Sequence, residues 1–260
     1  MNTETLSSLQ LFKKKKDTFL YKGISQGKHV LLKCTSSTNP EVREAFIDEY
    51  QVMRHLPHPG IPYYYWIHEA CRVPDIKEPV LALCMEDCAY ARGYWGLSPI
   101  PAGSAAAVPD GEEIRLADLP WPQIIRLLQV TSELLSWLLD RGVLYTDLNP
   151  SNILIHRLQD TLSLSLVDYT YSYFFLVNPN PSYRLRFSYD LSPDLKGRQL
   201  LIQEMGLLLQ ELINVKEEQG REIVPSGIYS LLETSLNPPD HLSLEDYAKM
   251  LETAQRKSSS

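Results

Sequence analysis

The chain has 260 residues, of which 44% are hydrophobic and 22% charged, and its 25 basic and 32 acidic side chains give a net charge of −7. This composition is typical of a globular protein and argues against a disordered tail. We expect no bulk nucleic-acid binding, because that usually needs a basic face.

The N-terminal part of the sequence reads as strands with one helix. Residues 18–34 alternate in the manner of two short strands joined by a turn, and residues 80–85 form a continuous apolar strand. Between them, residues 39–56 have apolar side chains at helical spacing, with Asn39 suited to the N-cap and Pro40 to the first helical position. This order predicts a small sheet accompanied by one helix.

After this region the chain turns mainly helical. Residues 89–111 are rich in Gly, Pro, Ala and Ser, which predicts a loop and the boundary between two lobes. A long helix should begin at Pro122 and end near Gly142. A hairpin with strands at 152–156 and 162–167 and helices at 200–213, 228–236 and 243–254 follow. We therefore predict an α+β fold in two lobes.

The chain has four cysteines, Cys34, Cys71, Cys84 and Cys88. They are too few for a disulfide scaffold, and no partner pair completes a zinc site. We expect small buried hydrophobic side chains in a reducing compartment, the cytoplasm. The apolar runs are far shorter than the roughly 18 residues that cross a bilayer, and residues 1–11 are polar, so we expect neither a membrane span nor a secretory signal.

Glu49 is the first candidate site residue, because it falls on the apolar stripe of the predicted helix. A buried carboxylate is costly unless it is paired. Lys33, at the end of an apolar strand, is a natural partner. The alternative is that the helix is rotated and that Glu49 is exposed.

Three further polar residues gather around the predicted hairpin. Asp147 and Asn152 flank a Pro-containing loop, and a turn near Gln159 would place Asn152 opposite Asp168. Carboxylate and amide oxygens are the ligands that Mg²⁺ prefers, usually with phosphate oxygens completing the shell. The alternative is that Asp and Asn are present only because they suit turns.

These segments resemble the eukaryotic-type (Hanks-type) protein kinases. Residues 145–154, Tyr-Thr-Asp-Leu-Asn-Pro-Ser-Asn-Ile-Leu, resemble the catalytic loop H-R-D-L-K-P-x-N-I-L, and Val167-Asp168-Tyr169 is similar to the strand that enters D-F-G. Lys33 ends a segment similar to V-A-I-K, and Glu49 has the spacing of the helical glutamate that pairs with that lysine. Further matches in the family's order are a hinge at Met85-Glu86, an A-P-E-like Ser192-Pro193-Asp194 and a buried helix at Met205–Leu209.

The resemblance implies a bilobal kinase-like fold, with an N-terminal lobe of antiparallel strands and one helix over residues 1–86 and a mostly helical C-terminal lobe over 87–257. It also implies ATP with Mg²⁺ or Mn²⁺ as cofactors. The implied roles are phosphate binding by Lys33, positioning of Lys33 by Glu49, metal binding by Asn152 and Asp168, orientation of the acceptor hydroxyl by Asp147, and nucleotide contacts at Met85, Glu86 and Cys88.

The chain departs from the family pattern at several places. Residues 12–20 contain no glycine where a glycine-rich loop is expected, and Lys13, Lys14, Lys15 and Lys16 lie there instead, either as a charge-only substitute or as a solvated hairpin tip. Tyr145 and Thr146 replace the His and Arg of the catalytic loop, so we expect no activation through a phosphorylated loop of the usual Arg-paired kind. Asn149 replaces a phosphate-contacting lysine, Tyr169-Thr170 replaces Phe-Gly, and Leu201 stands where the family has a supporting Asp.

Three functions are compatible with this pattern. The first is a divergent serine/threonine protein kinase that transfers the γ-phosphate of ATP to a protein hydroxyl, and the retention of Lys33, Glu49, Asp147, Asn152 and Asp168 favours it. The second is a pseudokinase that binds a partner protein with weak or no catalysis, which the loss of the glycines favours. The third is a small-molecule kinase of related fold.

Overall fold

The computed structural model describes residues 6–98, 113–115, 118–158, 161–177, 195–219 and 223–258. The chain divides into two compact units, Met1–Gly93 and Tyr94–Ser260. The first unit is built on an antiparallel sheet and the second is largely helical, so the predicted α+β class is confirmed. No helix within the described ranges is long and apolar enough to cross a membrane.

The first unit contains a five-stranded antiparallel sheet with the order β1-β2-β3-β5-β4. Its elements are β1 (Leu6–Lys15), β2 (Thr18–Ser25), β3 (Lys28–Thr35), α1 (Pro40–Met53), β4 (Tyr64–Cys71), β5 (Val80–Glu86) and α2 (Cys88–Arg92). Successive side chains of a strand point to opposite faces of the sheet. One face carries a buried apolar cluster of Phe19, Tyr21, Val30, Leu32, Cys34, Cys71, Val73, Val80, Ala82 and Cys84.

The opposite face carries Lys33, and α1 packs on it against β4 and β5. The predicted start of this helix is confirmed, because the Asn39 side chain accepts a hydrogen bond from the Glu41 amide at 3.0 Å and Pro40 is the first helical residue. The helix ends at Met53 rather than at residue 56. The amides of His55 and Leu56 bond to carbonyls three residues back, which tightens the chain before Pro57.

All four cysteines are buried thiols of the first unit, as predicted. Burial raises the pKa of the Cys84 thiol to about 12, and it also raises the pKa values of Cys34 and Cys71. These thiols therefore remain protonated near neutral pH and act as small apolar side chains.

Several parts of the first half differ from the sequence prediction. Strands β1 and β4 were not predicted, and the pairing of β1 with β2 is interrupted by a register shift between Leu11 and Lys13 that breaks simple alternation. The predicted loop at 89–111 begins with α2, whose N-cap is Asp87 and whose C-cap is the left-handed Gly93, and continues into a strand at 95–98. The remainder of that predicted loop, residues 99–111, lies outside the described residues.

The second unit contains four α-helices, a short 3₁₀ helix (Pro150–Asn152) and several short strands among its described residues. The helices are α3 (Trp121–Leu139), α4 (Leu195–Gln219), α5 (Ser226–Leu236) and α6 (Leu244–Ser258). The strands are β6 (Trp95–Ser98), β7 (Glu113–Arg115), β8 (Val143–Leu144), β9 (Ile153–Leu158), β10 (Thr161–Leu166) and β11 (Tyr173–Phe174), in the orders β10-β9-β6-β7 and β11-β8. All four helices were predicted, although α4 is longer than the predicted 200–213.

Helix packing forms the core of the second unit. α3 packs against α6, and α4 packs against α5. At the α4–α5 contact the helices approach closely at Gly206, where an added Cβ would lie 2.7 Å from the Cβ of Ser235. The core holds α3 in place, and the chain leaves α3 through the left-handed Gly142 into β8 and the candidate catalytic loop.

Candidate functional site

Lys33 and Glu49 form a buried ion pair in the first unit. The Lys33 Nζ lies 2.8 Å from Glu49 Oε2, and the two residues are 4% and 0% exposed. The hydroxyl of Tyr64 donates to the other carboxylate oxygen of Glu49 at 2.9 Å. The predicted pairing is confirmed, and the alternative of an exposed Glu49 is wrong.

The position of this pair follows from the sheet register. Lys33 lies between Leu32 and Cys34, which belong to the apolar cluster on the other face, so its own side chain points to the face that α1 covers. Phe46, one turn before Glu49, has its ring centroid 5.2 Å from the ammonium group. The ammonium is therefore held between an aromatic ring and a carboxylate whose second oxygen is also hydrogen-bonded.

Met85, Glu86 and Cys88, the predicted nucleotide contacts, lie at the junction of β5 and α2. Met85 and Cys88 are buried. The Glu86 carboxylate accepts two hydrogen bonds from Arg92, at 2.5 and 2.9 Å, and one from the Tyr63 amide at 3.1 Å. Because these side chains are packed or ion-paired, a ligand at this junction would contact the main chain.

Asp147 in the second unit is oriented by two asparagines from its own loop. Asn152 Nδ2 donates to Asp147 Oδ2 at 3.0 Å and to the Asp147 carbonyl at 2.9 Å. Asn149 Nδ2 donates to Asp147 Oδ1 at 3.3 Å and to the same carbonyl at 3.1 Å. Both carboxylate oxygens thus accept from amides, which fixes the plane of the carboxylate. Sequence reasoning treated Asn149 only as the loss of a lysine and missed this contact.

The hairpin pairs Asn152 with the residue before Asp168, so the predicted register is wrong by one residue. Ile153 pairs with Leu166, and the Val167 amide donates to the Asn152 carbonyl at 3.0 Å, so Val167 and not Asp168 lies opposite Asn152. Leu158 pairs with Thr161, so two residues separate the strands, one fewer than the predicted pairing requires. Asp168 comes directly after this last bond.

Asp168 has a left-handed backbone, with φ +63°. Its Oδ1 accepts a hydrogen bond from the Thr170 hydroxyl at 3.1 Å. Tyr145 and Thr146, which precede Asp147, donate from their hydroxyls to main-chain carbonyls on the two sides of Asp168. Sequence reasoning listed these two residues only as departures from the family, and their hydroxyl groups were the available signal.

The loop offers oxygen ligands to a hard cation. Asn152 directs its amide nitrogen to Asp147, so its side-chain oxygen is the atom that a cation would use, and Asp168 adds a carboxylate. Within the described ranges, no group of three or more His, Cys, Asp or Glu side chains is placed to hold a metal ion. A metal here would have to complete its shell with phosphate or water oxygens.

The lysine run divides between the two faces of the first sheet. Lys13 lies opposite Leu20, which lies opposite Lys33, so these three residues form one cross-strand row. Lys15 is on the same face as Lys13, because the two are two positions apart on β1. Lys14 points to the other face, where its ammonium lies 5.3 Å from the ring centroid of Phe19. Lys16 is in the tight turn that joins β1 to β2.

No protein-family model matches the chain, and no curated protein matches its sequence. The predicted A-P-E-like segment at 192–194 lies outside the described residues. Leu201, where the family has an Asp, is fully buried in α4. The functional assignment therefore depends on the side chains of the two clusters, Lys33–Glu49 in the first unit and Asp147, Asn149, Asn152 and Asp168 in the second.

Proposed function

We propose that the protein is a divergent serine/threonine protein kinase with a bilobal kinase-like fold, acting in the cytoplasm on a protein substrate. The observation that carries the proposal is the buried Lys33–Glu49 pair. Replacing a buried ion pair by apolar residues of similar volume is often neutral or stabilising, so stability alone gives little reason to keep one. A buried lysine held rigidly by a carboxylate is instead suited to binding an anionic ligand.

In this proposal each residue has one role. Lys33 binds the α and β phosphates of ATP, and Glu49 holds Lys33 in place. Asp168 and Asn152 hold Mg²⁺ or Mn²⁺, which when bound neutralises charge on the phosphates. Asp147 accepts a hydrogen bond from the substrate hydroxyl and takes its proton as the hydroxyl oxygen bonds to the γ-phosphorus and ADP leaves. The two amide donors to Asp147 support this role, because they keep the carboxylate in one orientation.

The turn between β1 and β2 favours a second candidate, a pseudokinase that binds a partner protein. Lys15 pairs with Thr18, so only Lys16 and Asp17 remain in the turn, and neither is a glycine. So short a connection cannot wrap its main-chain amides around phosphates as a glycine-rich loop does. Nucleotide affinity would then be weak or absent, while the fold would be kept for protein binding.

Calorimetric titration with ATP, with and without Mg²⁺, tests the proposal, followed by incubation with labelled ATP and a panel of protein and small-molecule acceptors. At about 100 times its dissociation constant, Mg-ATP should stabilise the fold by roughly 2.7 kcal/mol. Asp168→Asn should remove the metal-dependent part, whereas Asp140→Asn, a change at the exposed C-cap of α3, should not. Absence of any nucleotide binding by the wild-type protein would refute the kinase proposal. Binding without transfer would favour the pseudokinase.

A further inference from the structure

Two hydroxyl groups fasten the segment around Asp168 to the start of the candidate catalytic loop. The Tyr145 hydroxyl donates to the Val167 carbonyl at 2.7 Å, and the Thr146 hydroxyl donates to the Tyr171 carbonyl at 2.7 Å. Tyr145 and Thr146 are both buried. Their acceptors lie one residue before and three residues after Asp168, so the two bonds flank Asp168 along the chain.

The same segment is also held beyond Asp168. The rings of Tyr145 and Tyr169 meet edge to face, with centroids 5.0 Å apart. β11 pairs with β8, and the Phe175 amide donates to the Gly142 carbonyl at 2.9 Å. Residues 167–175 are therefore held at several points against residues 142–146.

These contacts matter at Asp168, because its backbone is left-handed, a conformation that is uncommon for residues other than Gly although Asp adopts it more often than most. Here the surrounding structure holds that conformation on several sides. The carbonyls of Val167 and Tyr171 are fixed by the two hydroxyls, and the Thr170 hydroxyl fixes the carboxylate itself at 3.1 Å.

Burial alone does not require hydroxyl groups at these two positions. Phe in place of Tyr145 and Val in place of Thr146 would fill nearly the same volume, without a hydroxyl to remove from water. What the hydroxyls add is a fixed backbone position, because each hydrogen bond determines where one main-chain carbonyl lies.

We propose that Tyr145 and Thr146 are positioning residues that hold Asp168 in its metal-binding geometry. This inference rests on the proposed function.

The test compares Tyr145→Phe, Thr146→Val and the double variant with the wild-type protein in ATP titrations over a series of Mg²⁺ concentrations. Loss of a hydrogen bond to a buried carbonyl should raise the Mg²⁺ concentration for half-maximal ATP binding by about tenfold in each single variant. The affinity for ATP in the presence of a chelator should not change. Thr146→Ser keeps the hydroxyl and should keep the wild-type metal dependence.

Two matched controls remove buried or partly buried hydroxyls elsewhere in the second unit. Tyr94→Phe removes the contact between the Tyr94 hydroxyl and Ser163 Oγ at 3.3 Å, and Thr131→Val removes the bond from Thr131 to the Leu127 carbonyl at 2.8 Å. Both should lower the melting temperature to a similar degree and leave the metal dependence unchanged.

The outcomes separate the positioning role from the proposed function. If wild-type protein binds Mg-ATP and the Tyr145 and Thr146 variants show its metal dependence, the two hydroxyls are structural only and the inference is wrong. If the wild-type protein binds no Mg-ATP, the proposed function fails and the metal role fails with it. If the double variant does not fold, the comparison of Thr146→Val with Thr146→Ser still decides the question.

Discussion

Lys33 and Glu49 are 16 residues apart in the chain and meet because α1 packs on the sheet, whereas Asp147 is oriented by Asn149 and Asn152, two and five residues away. The first cluster thus forms through tertiary packing, whereas the second is held mainly by hydrogen bonds within its own loop. Damage to the first should unfold the protein as well as inactivate it. Damage to the second should inactivate the protein and leave the fold nearly intact.

The largest effect is expected from Glu49→Leu, because it leaves the Lys33 ammonium buried without its carboxylate. Breaking a buried pair in this way typically destabilises a protein by about 3–5 kcal/mol. The double variant Lys33→Met/Glu49→Leu should recover most of this loss, since it removes both charges. Denaturant unfolding of Lys33→Met, Glu49→Leu and the double variant measures the coupling energy between the two side chains. Strictly additive losses of stability would show that the two side chains do not stabilise each other.

Asp147→Asn should separate activity from stability. Loss of the proton acceptor should lower phosphoryl transfer by about a hundredfold or more. The new amide nitrogen would face a donor from Asn149 or Asn152 in this partly exposed loop, so stability should fall by only about 1–2 kcal/mol. Transfer assays with a generic basic protein and melting curves on the same samples measure both. An active wild-type enzyme whose Asp147→Asn variant keeps its rate would remove Asp147 from the mechanism.

Helical periodicity places Glu49 on an apolar stripe, where a carboxylate is costly unless it is paired, but this left an exposed Glu49 as an alternative. The resemblance to protein kinases favoured its pairing with Lys33. The predicted cross-strand partner of Asn152 was wrong by one residue. Alternation of apolar and polar residues indicates which face of a strand is buried, but it does not determine how many residues connect the two strands. The hydroxyl bonds of Tyr145 and Thr146 could not be predicted, because their partners are main-chain carbonyls 22 and 25 residues away, and any residue type has a carbonyl.

A smaller effect is expected from the lysine run. Because its side chains lie on both faces of the sheet, the run also provides its own control. If Lys13 and Lys15 supply charge on the face of Lys33, Lys13→Gln/Lys15→Gln should weaken ATP binding by a few-fold and flatten its dependence on salt, as expected of exposed charges. Lys14→Gln changes a side chain that packs over Phe19 on the other face and should have no effect. Equal effects of all three lysines would indicate only a general attraction of the anion.

The smallest effect concerns pH and reports on the first unit alone, because all four cysteines lie there. The folded protein holds the pKa of Cys84 at about 12, above the ordinary value of 9.0, because burial disfavours the thiolate. The unfolded chain therefore loses the thiol proton first as pH rises. Stability from this group is complete below pH 9 and is lost as pH rises from 9 toward 12.

Between pH 8 and pH 10 this single thiol should lower the free energy of unfolding by about 1 kcal/mol. Cys84→Ala should be less stable at pH 8, because it leaves a small cavity, but its stability should fall less steeply up to pH 10. Asp147→Asn should follow the wild-type slope, because its change is confined to a loop of the second unit. Denaturant midpoints at several pH values measure these slopes. A slope for Cys84→Ala equal to that of the wild type would mean that the thiol is not protected from water in the folded sheet.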